Sequence, residues 1–159
     1  MPEGAWLLVG VNVISLVFAF FMQEVVDVFP CALCLWERYP FVVAAFLAFA
    51  AALWKPYKKQ TTLLLSLCVV TYLVSVGLGF FHSGVELLWW EGTPSCDSTP
   101  LSGASPEELR AALLEAQPPR CDDVTWSLFG LSLANLNTLF SLGLALFSVL
   151  ILRQHIKTR

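Results

Sequence analysis

Five cysteines stand at positions 31, 34, 68, 96 and 121, and four of them are placed to do thiol chemistry. Cys31 and Cys34 form the Cys-x-x-Cys of Pro30-Cys31-Ala32-Leu33-Cys34. That spacing serves a redox pair, half of a metal site or a structural bridge. Haem attachment needs a histidine at the next position, where Leu35 stands. Pro30 and the apolar run after Cys34 place the pair at the start of a helix. The positive end of a helix favours a thiolate, the species that attacks a disulfide. Glu24 and Asp27 oppose this with nearby negative charge. Arg38 follows Cys34 by four positions, one turn along the same helix face. Its fixed charge suits a thiolate, or an oxygen gaining negative charge. The alternative is a side chain that reaches to headgroups or pairs with Glu37. The other two cysteines lie in Pro94-Ser95-Cys96-Asp97 and Pro119-Arg120-Cys121-Asp122.

The elements that hold these residues are apolar. Of the 159 residues, 57% are hydrophobic and 13% charged. A soluble domain is nearer half apolar and a quarter charged, so an ordinary soluble enzyme and a disordered chain are excluded. With 9 Lys+Arg against 12 Asp+Glu, there is no basic surface for nucleic acid either. Length alone suggests one domain, residues 1–159. Four apolar runs stand out, at about 5–22, 35–54, 62–81 and 126–152. Each is near the twenty helical residues that cross a bilayer. The alternating pattern of a membrane barrel is absent. The expected fold is therefore an all-α membrane protein, a four-helix transmembrane bundle with a long loop over 82–125 between helices three and four. Glu3 is the charge before the first run, which reads as a span rather than a cleaved signal.

Charge sets the orientation. Lys55, Lys58 and Lys59 lie between helices two and three, and Arg153, Lys157 and Arg159 follow helix four. The positive-inside rule makes that face cytoplasmic, with both termini. Cys31, Cys34, Cys96 and Cys121 then face the compartment where disulfides persist. The loop opens with Gly84–Glu91, whose Trp89 and Trp90 suit the membrane interface. Farther on, Ser105, Pro106 and Glu108 form a capping signature for a short helix to about Ala116.

Two cysteine pairs on one face suggest a relay by thiol–disulfide exchange, although a static staple fits Cys96 and Cys121 taken alone. A relay needs a terminal acceptor. No dinucleotide fingerprint or haem pattern is present, and the lipid beside Cys34 and Arg38 offers a membrane quinone.

Cys31-Ala32-Leu33-Cys34-Leu35-Trp36-Glu37-Arg38, the later cysteine pair, and Trp126-Ser127-Leu128-Phe129-Gly130-Leu131-Ser132-Leu133 resemble the bacterial disulfide bond formation protein B (DsbB) family. The resemblance implies an enzyme of the inner membrane, with its cysteine pairs in the periplasm. Such an enzyme reoxidises a periplasmic thioredoxin-fold dithiol oxidase (DsbA-like) and passes the electrons to ubiquinone or menaquinone. It implies that Cys96 forms the mixed disulfide with the partner and that Cys121 is its loop mate. Cys31 and Cys34 reoxidise that pair, and Cys34 is the thiolate at the quinone. Arg38 assists there, and His82, just after helix three, resembles a family histidine near the quinone. The span from Leu101 to Gln117, which reads as Ala- and Glu-rich, and Ala134-Asn135-Leu136 depart from the family pattern.

Three other readings remain at this stage. One is a quinone enzyme of the epoxide-reductase type, disfavoured by the order of the two pairs. A second is a module holding zinc on the four outer cysteines, although only one pair has knuckle spacing, and no metal ligand is assigned. The third is a structural protein with static bridges. Cys68 is expected to pack as a small hydrophobe. Asn135 and Asn137 are expected to hydrogen-bond between helices or to nearby backbone.

Overall fold

In a computed structural model of the chain, residues 2–54, 57–96 and 119–157 are described. They form α1 (Pro2–Glu24), α2 (Ala32–Leu53), α3 (Lys58–Glu86), a 3-10 turn (Pro94–Cys96), β1 (Ser127–Leu128), β2 (Leu131–Ser132) and α4 (Leu133–Lys157). All four helices are long and apolar enough to cross a membrane. The shortest has 22 residues, about 33 Å of helix against a hydrocarbon core of about 30 Å. The helix expected near 105–116 lies outside the described residues.

Lipid is as apolar as leucine, so close packing and interhelical hydrogen bonds must hold such helices together. Small residues supply the close approach. Ser75, Gly79 and Ser83 of α3 and Ser141, Ala145 and Ser148 of α4 are buried. Ser75 and Ser141 share a hydrogen bond of 2.8 Å. A methyl group on Gly79 would run into Thr138 of α4. On α2, Ala44, Ala48 and Ala51 line the core with Leu8, Leu65, Cys68 and Tyr72. Asn12 of α1 donates to the Tyr72 hydroxyl at 2.6 Å, tying α1 to α3.

Three of the differences between the helix ends and the hydropathy reading bear on the site. Helix two begins at Ala32 rather than Leu35, because Cys31 caps it: its sulfur accepts from the Cys34 backbone N–H at 3.2 Å. Helix three runs on to Glu86, so His82 lies inside it rather than in a loop after it. Polarity does not stop a helix while its backbone bonds continue, and here the Ser83 hydroxyl bonds back to Gly79 O at 2.8 Å. The Gly84–Glu91 interface segment thus starts in the last turn of α3.

Helix four begins at Leu133, seven residues later than the apolar run. Its first stretch is instead a hairpin pairing Ser127 with Ser132 and Leu128 with Leu131. Phe129 (φ 52°) and Gly130 (φ 81°) both turn left-handed, as a two-residue type I′ loop requires. The Ser132 hydroxyl then caps α4, accepting from Asn135 N–H at 3.2 Å. Phe129 is 97% exposed and carries the strain of its backbone for no packing return. Phe129→Asn creates the Asn-Gly pair this turn prefers. Relief of the left-handed cost should raise stability by about 1 kcal/mol, read as a higher thermal midpoint in detergent. A lower midpoint would mean that the exposed ring has a stabilising contact.

A thiol, imidazole and carboxylate site at the start of the second helix

The site is assembled from the ends of three helices. Cys31 at the α2 N-cap lies 2.9 Å from the Cys34 sulfur, one turn into the helix. Both are free thiols, whereas Cys96 and Cys121 are joined in a disulfide with Cα atoms 5.1 Å apart. His82 comes up from α3. Its Nε2 is 3.5 Å from the Cys31 sulfur, and its Nδ1 is 2.8 Å from Glu37 Oε1. Glu37 lies on α2 two turns beyond Cys31, and its other oxygen accepts from Asn137 of α4 at 2.9 Å. His82 is 3% exposed, and Cys31 and Glu37 are buried with it, while Asn137 is half-buried at the end of the row.

This geometry favours charge on Cys31. Its sulfur accepts from the Cys34 backbone N–H and lies against the Cys34 thiol, and His82 stands beside it. Those contacts outweigh its burial and hold the Cys31 thiol well below the usual range, at about 4. A thiolate beside an imidazole that is itself held by a carboxylate is the arrangement of an activated nucleophile.

The loop disulfide is packed onto the same place. Cys31, Leu33, Val85, Cys96 and Cys121 form one buried cluster, with Cys34 and Phe81 against it. The 3-10 turn carries Cys96 to α2, and Thr93 reaches back to the Cys96 sulfur at 3.3 Å. Cys121 is fully buried, and Cys96 keeps 6% exposure. Next to Cys121, Arg120 binds Asp122 through two nitrogens, at 2.9 and 2.7 Å. That pairing holds the Asp122 carboxyl below the ordinary range.

Of the residues singled out by sequence, the structure brings Cys31, Cys34, His82, Cys96 and Cys121 together. Arg38 is placed elsewhere. Its guanidinium donates to Gln23 at 3.0 Å and lies over the Phe20 ring at 5.2 Å, both on α1. In this state Cys96 and Cys121 are joined in a disulfide and offer no thiolates to a metal, which disfavours a zinc module on the four outer cysteines. Glu37, which the sequence offers only as a partner for Arg38, instead holds His82. The signal was there: an ionisable residue within an apolar helix is expensive and by default functional. Asn137 does bond between helices, as expected. Asn135 bonds to the Ser132 side chain instead of backbone.

Residues 3–151 match the family model described as Disulfide bond formation protein DsbB. Disulfide bond formation protein B of Hahella chejuensis is 32% identical over 73% of this chain and 72% of its own length. Disulfide bond formation protein B 2 of Pseudomonas syringae pv. syringae is 30% identical, covering 80% of this chain and 74% of its own. Disulfide bond formation protein B of Aromatoleum aromaticum is 26% identical over 85% of this chain and 82% of its own length. No solved structure matches the chain.

Proposed function

The chain belongs to the DsbB family, membrane proteins that form disulfides, and we propose that it reoxidises a periplasmic thioredoxin-fold dithiol oxidase and hands the electrons to a membrane quinone. The observation that carries this reading is the single buried cluster holding both cysteine pairs. Cysteine pairs packed in one cluster can exchange disulfides without a large rearrangement.

The steps balance as follows. A partner thiolate attacks Cys96, the less buried sulfur of the loop bond, and releases Cys121. The partner's second thiolate completes its own disulfide and leaves Cys96 and Cys121 as thiols. These attack the Cys31–Cys34 disulfide, re-forming the loop bond and leaving Cys31 and Cys34 reduced. Each exchange passes through a mixed disulfide and moves two electrons inward. The oxidation states described here, a loop disulfide beside two free thiols, are those that stand after both exchanges. Giving up two electrons and two protons returns Cys31 and Cys34 to a disulfide.

A site for the acceptor fits beside the thiols. A cavity of about 460 Å³ is lined by Val26, Asp27, Val28, Phe29, Thr125 and Trp126, among others. Its volume and the side chains of Val26, Val28, Phe29 and Trp126 suit a small aromatic ring. Thr125 and Trp126 also border the small cavity at Cys31 and Cys34. Bound there, a quinone supplies a two-electron, two-proton sink. In this reading His82, beside Cys31, holds and moves the proton, and Glu37 keeps its ring in place. Cys34 is the sulfur nearer the acceptor. Arg38 acts from the α1 side, toward the acceptor's headgroup or lipid-facing edge. The cysteine pairs face the periplasm and both termini the cytoplasm, at the bacterial inner membrane.

The purified chain should reduce a soluble quinone analogue when given a reduced thioredoxin-fold dithiol, and not without one. Reduction at the same rate by a small free thiol would overturn the partner assignment. Within the same assay, Arg38→Ala should slow quinone reduction at steady state while leaving a single turnover of partner oxidation intact. Equal loss in both would remove Arg38 from the quinone side.

A further inference from the structure

We propose that Cys31, Cys34 and His82, once the two thiols are reduced, form a binding site for a divalent cation of the zinc class. The two sulfurs and a ring nitrogen of His82 all lie within 4.8 Å of one another. Ligands at zinc distances in a tetrahedron sit about 3.3–3.8 Å apart. The Cys31–His82 separation of 3.5 Å already falls in that range. The two sulfurs, at 2.9 Å, need to part by about 0.9 Å to reach it.

Two independent features point to a cation. The first is the imidazole. His82 presents Nε2 to the thiols while Nδ1 is held by Glu37 at 2.8 Å, and Asn137 holds Glu37 in turn. A carboxylate on the far nitrogen is the arrangement that orients metal-binding histidines and strengthens them as ligands. The second is the space. A cavity of about 10 Å³ is bounded by Cys31, Cys34, His82, Glu86, Asp123 and Trp126, with Thr125 and Leu133 completing its wall. That is room for one water or one ion and not for a ring. Among the described residues no Lys or Arg lines it. Two carboxylates do, Glu86 and Asp123, although Glu86 also accepts from Ser132. Three protein ligands leave a fourth position for an exchangeable group, as in sites with three protein ligands and a water.

Binding needs both sulfurs as thiolates and the ring of His82 neutral, so it releases whatever protons those groups still carry and moves no electrons. Two thiolates and a neutral imidazole balance the cation's charge. When Cys31 and Cys34 form a disulfide, both thiolate ligands are lost, so the site exists in the reduced state only. The ion then competes with onward electron transfer. That inhibition rests on the function proposed above, but the binding does not.

The test uses the full chain with Cys96→Ala and Cys121→Ala, which leaves Cys31, Cys34 and Cys68 as its thiols. Cobalt(II) is the spectroscopic probe and zinc(II) the competitor. Reduced protein should take up one ion per chain, with thiolate charge-transfer and tetrahedral cobalt bands that zinc abolishes. The same protein with Cys31 and Cys34 oxidised should show neither, a comparison that needs no further substitution. His82→Ala should lose the tetrahedral spectrum. Glu37→Gln should weaken binding about 10-fold or more, and Cys68→Ala should change nothing. Bands that persist after oxidation, or that survive His82→Ala unaltered, would overturn the site. In the otherwise unaltered chain, zinc should slow dithiol-to-quinone turnover. Turnover without any metal binding sinks the metal site alone, and metal binding without any turnover sinks the relay alone.

Discussion

Cys34→Ser will bring dithiol-driven quinone reduction down to the rate without protein, and Cys96→Ser will do the same for a different reason. Serine cannot form a disulfide, so each change cuts the relay at one pair. With Cys34 replaced, no Cys31–Cys34 disulfide exists to reoxidise the loop pair; the Cys31 thiolate can attack the Cys96–Cys121 disulfide and release one loop thiolate, but no Cys34 thiol remains to resolve the mixed disulfide. The chain should then accumulate a covalent intermediate between Cys31 and Cys96 or Cys121, visible on non-reducing gels and lost on reduction. With Cys96 replaced, the partner has no accessible sulfur to attack, because Cys121 is fully buried. No mixed disulfide with the partner should form, yet Cys31 and Cys34 should still be oxidised by a quinone analogue after chemical reduction. The two variants therefore separate an inner and an outer half of one path. Full turnover in either would end the relay reading. A Cys68→Ala control should behave as the parent, since Cys68 is packed in the bundle core beside Ala44 and Tyr72.

Much of this was legible in the residues before any coordinates. The four spans are visible because lipid demands about twenty apolar residues from each helix, and that demand is local in sequence. The helix start at the Cys-x-x-Cys is legible for the same reason: Pro30 and the run after Cys34 are adjacent in the chain. The errors lie where the outcome depends on partners far away in sequence or on backbone sign. Trp126 to Leu133 is apolar enough to continue a helix, and hydropathy carries no trace of the left-handed turn at Phe129 and Gly130. Glu37 needs His82 and Asn137, which come from two other helices, to explain its burial. Arg38, four positions from Cys34, faces α1 rather than the thiols, because Gln23 and Phe20 offer it a hydrogen bond and a ring. Helical spacing names a face, and packing decides what that face meets.

The largest effect outside the cysteines should come from the Glu37–His82 pair. His82 is 3% exposed, and each of its ring nitrogens has a partner. In the reduced protein the Cys31 thiol is held at about 4, first by its hydrogen bond with Cys34 and then by His82. A thiol lowered in this way is a thiolate at every pH above that value, so its reactivity stays level as pH falls from neutrality. An ordinary thiol, near 8.5, loses about tenfold in thiolate for each unit below that. With Cys96 and Cys121 replaced by alanine, alkylation of reduced Cys31, located by peptide mass, should be nearly flat between about pH 8 and pH 5. His82→Ala removes one of the two stabilising neighbours, and the alkylation rate should then fall with decreasing pH across that window. Glu37→Gln keeps a hydrogen bond to His82 but removes the charge that anchors the ring, and should give a smaller shift in the same direction. Glu37→Ala leaves His82 Nδ1 and the Asn137 amide unpaired in a buried place, at a cost of about 1–3 kcal/mol for each group. That variant should lose thermal stability as well as the flat profile, whereas Glu37→Gln should lose mainly the profile. A profile unchanged in His82→Ala would assign the activation of Cys31 to Cys34 and the helix end alone.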